Sequence, residues 1–200
     1  RIARVLEALG HHVEEAHPRA LEEPESHMLF AAILVANLAR LLDVWSERIG
    51  KPITADDVEL LTWALAEFGR KMPATQLLAV LDEAHAFGRR LAGWFSDFDL
   101  LLTPVAAATP PLLGTLTSTR EEPLRASFRS LNYSVFTYPW NMSGQPAISV
   151  PGYMTAAGLP IGVQLVAAAA REDLLLRVAS QIEIAAPWSQ LTPSLDWLAR

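Results

Sequence analysis

Apolar positions along this chain change their spacing several times, and each change marks an element. Ile2, Val5, Leu6 and Leu9 recur at helical spacing, with Gly10 placed to end the helix. His12–Glu14 then reads as a short strand, followed by a polar loop through Pro18 and Pro24. The next stretch is helical. Ser26 is a cap for a helix reaching about Arg48, and Thr54 is a cap for a second, with Asp56 and Asp57 at the positive end of its dipole. Val58, Leu61, Leu65 and Phe68 form the second helix's apolar stripe, and Gly69 ends it. Thr75 opens a third helix with Leu77, Leu81, Ala84, Gly88, Leu91 and Phe95 on one face. Glycine there costs about 1 kcal/mol of helix propensity relative to alanine, which close approach of another backbone offsets.

After Phe95 the pattern shortens. Phe98–Thr103 is an apolar run closed by Pro104, too short for a helix and suited to a buried strand. A proline-rich loop follows, then a helix over Glu121–Leu131. Ala147–Val150 and Ile161–Val166 read as strands joined by turn-rich sequence. Arg171–Ile184 is a final amphipathic helix with Leu174, Leu175, Val178 and Ile182 inward. Pro187 stops it, and a tail through Trp188 and Trp197 packs back on the surface. The alternation of helix and strand predicts an α/β fold, a sheet covered by helices. We expect one domain over residues 1–200, helical over 26–95 and strand-rich over 96–200.

Composition narrows the function. With 51% hydrophobic and 19% charged residues the chain is globular. A formal net charge of −6 with dispersed arginines gives no footprint for nucleic acid. There is no cysteine, so disulfides and thiolate chemistry are out, and a reducing, cytoplasmic location is expected. The longest uncharged run of the first half, Met28–Ala39, is shorter than the about 20 residues a bilayer span needs, so no membrane partner is expected. The chain opens at Arg1 directly on a helical pattern, and we expect it to be a portion of a longer protein.

Taken alone, the polar residues specify no reaction. His11 and His12 are adjacent, the other histidines are scattered, and no HxxxH or HExxH spacing occurs, so neither a metal nor another cofactor is expected. No G-x-S-x-G elbow or phosphate-cradling loop occurs. Ser143-Gly144 reads as a turn, and Ser149 as a hydrogen-bonding strand residue. The paired carboxylates at Glu14/Glu15, Glu22/Glu23, Asp56/Asp57 and Glu121/Glu122 fall in loops and helix starts. Gln164, on an otherwise apolar strand, must find buried partners, and we expect it to brace a loop.

Four runs, in order, change the picture. Phe98–Pro104 (FDLLLTP), Trp140–Pro151 (WNMSGQPAISVP), Gly158–Leu165 (GLPIGVQL) and Glu172–Leu176 (EDLLL) resemble the strand, the N-x-x-G-x-P-A-x-S-V-P stretch, the G-L-P-x-G-x-Q-L run and the last helix of the amidase signature family. Pro187-Trp188 falls where the family's tail often has a similar pair. The helical stretch around Leu60–Ala66 resembles the bacterial subgroup that includes the cyclic-dimer (nylon oligomer) hydrolases.

The resemblance implies the C-terminal portion of the amidase signature fold, a mixed β-sheet covered by helices. It implies a hydrolase of carboxylic amides that uses a serine nucleophile, a second serine in a cis peptide and a lysine. None of these matches a position here, so no catalytic residue is assigned. Lys51 and Lys71 lie outside the family's lysine context. The 200 residues alone are expected to be inactive and, within a parent enzyme, to supply part of the sheet and one wall of a pocket for a small-molecule amide. Tyr138, Trp140 and Asn141, ahead of a strand edge, are the candidate substrate-binding residues, with Trp140 equally at home in a core. Unpaired strand edges predict self-association into a homo-oligomer. Two other readings are an amidotransferase subunit of the same fold and a non-catalytic interaction module.

Overall fold

A computed structural model describes residues 1–189. Helices α1 (Ile2–Ala8), α2 (Ser26–Ile49), α3 (Leu60–Arg70) and α4 (Ala74–Trp94) come first, with a 3-10 turn at Arg19–Glu22. Strand β1 (Leu100–Pro104) follows, then α5 (Arg125–Ser134), α6 (Tyr138–Ser143), β2 (Ala147–Met154), β3 (Pro160–Ala167) and α7 (Glu172–Ala185).

The sheet has the order β1-β3-β2, with β3 in the centre. Leu100 lies opposite Ala167 on one side of β3, and Ala147 opposite Val166 on the other. Strand alternation sends β3's side chains to two cores. Leu165 and Ala167 meet Ile2 and Leu6 of α1 and Leu175, Val178 and Ile182 of α7. Val166, with Leu101, meets Phe87 and Leu91 of α4 and Trp140 of α6. The sheet is thus a middle layer between α1/α7 and α4/α6. Ala39, Leu42 and Ala66 make a third cluster, where α2 packs on α3.

The α/β class and the inward faces of α4 and α7 stand as expected. Trp188 packs against the first core, whereas Trp197 lies outside the described residues. Gly88 faces α6, but a methyl placed there would sit 3.5 Å from the Ser143 Cα, an ordinary contact, so the expected close approach of another backbone does not require glycine. Other elements differ for local reasons. All strand pairing among the described residues is antiparallel, where a mixed sheet was expected. A short turn joins β2 to β3, and parallel pairing would need a long crossover. His12–Glu14 forms no strand, having no pairing partner, although Val13 still packs on the first core. The helix after the proline-rich loop starts at Arg125, beyond Pro123, which disfavours helical angles before it.

Thr54 caps nothing. Instead the Asp57 carboxylate accepts from the Thr54 backbone N–H (2.9 Å) and hydroxyl (2.8 Å), and this local turn delays α3 to Leu60. Those bonds, joined by the Lys51 ammonium, pull the Asp57 carboxyl down to about 2. Phe68, expected in α3's buried stripe, is exposed. Gly69 does not end α3 but lies inside it, where a Cβ would overlap the Val35 carbonyl of α2. There glycine allows close helix contact at a cost in propensity.

The uncharged run Met28–Ala39 is short, but the helix that carries it spans 24 residues. That helix, α2, is long and apolar enough, by length and composition, to cross a membrane. Here it packs against α3, α4 and α6.

Candidate functional site

The main concavity, of about 890 Å³, opens between the start of α2, strand β1 and the α5–α6 region. Its wall is largely apolar, with Phe30, Leu34, Leu101, Leu131 and Val135 among its residues. Its polar lining includes Glu15, Glu22, Glu23 and His27. His17 lies at the wall with its Nε2 2.8 Å from a Glu22 carboxylate oxygen. Ser130 and Ser134 also line it. Their hydroxyls donate back to the Ser127 (2.9 Å) and Leu131 (3.3 Å) carbonyls. With their protons so used, these hydroxyl oxygens are left as acceptors, suited to an N–H group. Polar groups set into a mainly apolar cleft match the usual make-up of a small-molecule site.

Two arrangements hold this wall, one buried and one at the surface. Gln164, at the centre of β3, donates to the Phe136 carbonyl (2.7 Å) and the Thr103 hydroxyl (3.1 Å). It braces the segment leading into α6, as its place on an apolar strand suggested. Glu23, beside the cavity, takes two bonds from Arg90 of α4 (2.8 and 2.7 Å), and Arg90 also reaches Glu83 (2.8 Å). The two carboxylates raise the Arg90 guanidinium further above its already high value.

The candidate residues sit in a short helix rather than at an extended strand entry. Tyr138-Pro139-Trp140-Asn141-Met142-Ser143 is α6, with proline in its first turn and Gly144 closing it at φ 76°. Tyr138 and Trp140 line the main cavity. Trp140 is 3% exposed and belongs to the second core, so its bulk is chiefly packing. Asn141 instead lines a smaller cleft of about 370 Å³, which Trp140 also borders with Ser149 and Gln164. The helix thus divides the three residues between two concavities.

Sequence reasoning missed the α2 side of the wall, His27 and Phe30, and the serines of α5. The serine spacing at 127, 130 and 134 is helical and was the available signal. Lys51 pairs with Asp57, and both it and Lys71 are exposed and away from the main cavity. Among the described residues, no group of three His, Asp or Glu side chains could hold a metal ion.

A family model described as Amidase matches residues 1–176. The 6-aminohexanoate-cyclic-dimer hydrolase of Paenarthrobacter ureafaciens is 39% identical over 199 residues, 96% of this chain. A protein of the same description from Pseudomonas sp. (strain NK87) is 38% identical over 96% of the chain. The chain spans 40% of the length of each of these relatives. A solved structure of 6-aminohexanoate cyclic dimer hydrolase complexed with substrate superposes with a TM-score of 0.87 at 38% identity, covering 94% of this chain and 41% of that one. A bacterial aryl acylamidase of the amidase signature enzymes, at 22% identity and a TM-score of 0.72, shares the fold alone, over 94% of this chain and 39% of that one.

Proposed function

The chain belongs to the amidase family, and from that premise we propose that it is the C-terminal portion of an enzyme that hydrolyses carboxylic amide bonds. One observation carries the reading. Two of the segments that wall the main cavity, β1 through Leu101–Pro104 and α6 through Trp140, fall in runs that resemble the family's motifs. In this reading a serine attacks the amide carbonyl, activated through a second serine by a lysine. These three groups lie outside the present residues. The chain contributes the apolar wall, the acceptor hydroxyls of Ser130 and Ser134, and the frame that Gln164 holds.

The substrate is a small amide with an apolar chain, and the identity to cyclic-dimer hydrolases favours an amide of a 6-carbon amino acid. Tyr138 and Trp140 form part of its pocket, and Asn141 lines the neighbouring cleft. We read α2 as a helix of the folded domain, given its contacts with α3, α4 and α6. We further propose a homo-oligomeric, cytoplasmic protein without nucleic-acid or membrane partners.

The test joins these residues to the first three fifths of the Paenarthrobacter hydrolase. The joined enzyme should hydrolyse the cyclic dimer, and the 200-residue chain alone should turn over neither the dimer nor a simple anilide. Turnover by the chain alone would overturn the placing of the attacking groups. A folded but inactive joined enzyme would overturn the amidase role.

A further inference from the structure

Tyr138 lines the cavity, yet its hydroxyl already has a partner. The Tyr138 Oη lies 2.7 Å from the Ser26 Oγ. Ser26 is 3% exposed, and its hydroxyl donates to the Glu23 carbonyl at 2.9 Å. A serine hydroxyl carries one proton. With that proton on Glu23, Ser26 is the acceptor and Tyr138 the donor. The resulting chain runs from Tyr138 through Ser26 to Glu23, whose carboxylate is gripped by Arg90. It ties α6, the first turn of α2 and α4 together over 112 residues of sequence. The Tyr138 ring also rests on Phe30, with centroids 5.9 Å apart. His27 and Phe30, near the start of α2, both line the cavity.

We propose that Tyr138 is a positioning residue, a clasp that fixes the first turn of α2 and so sets the width of the cavity between Phe30 and β1. Its hydroxyl points to protein, and the substrate meets only its ring. The clasp deepens the proposed function and rests on it only for the kinetic part of the test.

The test compares Tyr138→Phe, Ser26→Ala, the double variant and Ser26→Thr. In the 200-residue chain, amide hydrogen exchange at Phe30, Ala31 and Ala32 should be about tenfold faster in Tyr138→Phe, the effect of losing one hydrogen bond of about 1.4 kcal/mol, and at least as fast in Ser26→Ala, which also loses the bond to the Glu23 carbonyl. The double variant should be no faster than Ser26→Ala alone, Ser26→Thr should stay slow, and Leu91 in α4 should be unchanged. In the joined enzyme, Tyr138→Phe should raise KM for the cyclic dimer severalfold and leave kcat within about twofold, the pattern of lost ground-state binding. Unchanged exchange at the α2 turn, additive single effects, or an unchanged KM would each overturn the clasp. An inactive joined enzyme would count against the amidase role, and the exchange data would still decide the clasp.

Discussion

Replacing Gln164 by leucine tests the framework most directly. Leucine nearly matches the volume, so the change removes two donors without opening a cavity. The lost bonds, to the Phe136 carbonyl and the Thr103 hydroxyl, lie beside the sheet's central strand. Each such bond is worth about 0.5–1.5 kcal/mol net, and a stranded buried acceptor costs more. The apolar gain of leucine offsets part of that. A loss of about 2 kcal/mol is expected, a fall in Tm of roughly 4–8 °C for a chain of this size. Urea unfolding measures it. Gln164→Glu adds a sign test: a carboxylate facing the Phe136 carbonyl has its folded pKa raised. The variant should therefore be least stable at neutral pH and recover as pH falls and the group protonates. A Gln164→Leu midpoint within about 0.3 kcal/mol of wild type would refute the brace.

Gly69→Ala gains helix propensity but drives a methyl into the Val35 carbonyl, so a net loss of about 1–3 kcal/mol is expected by thermal unfolding. Gly88→Ala meets Ser143 only at ordinary contact distance and should be neutral or stabilising by up to about 1 kcal/mol in the same assay. Asp57 has its folded pKa lowered from 3.8 to about 2. Its contribution is therefore fully present above its ordinary value and lost as pH falls toward 2, and the stability gap between wild type and Asp57→Asn should close across that window. Light scattering at high concentration should show self-association, and a strictly monomeric profile would contradict it.

The sheet and the last helix were legible because their signals are local: alternation in Ile161–Val166, the 3.6 period of α7, and one polar residue stranded among apolar ones at 164. Helix α6 was not, since six residues with proline in the first turn show too little period to read. Gly69 was misread because a helix-ending glycine and a glycine under a crossing helix look alike in sequence. Only Val35, far along the chain, tells them apart. The same holds for the cavity. Its walls come from α2, β1 and α5–α6, and nothing in the spacing of Ser26 says that Tyr138 will meet it.

The centre of the sheet is also its last strand to be synthesised. Leu100 waits for Ala167, and Ala147 for Val166. Until residue 160 leaves the ribosome, β1 and β2 have no neighbour to pair with among the described strands, while the helices before them can already form. Biogenesis is therefore back-loaded: a product stopped at Gly158 would keep most of its helical content and lose every rung of the ladder.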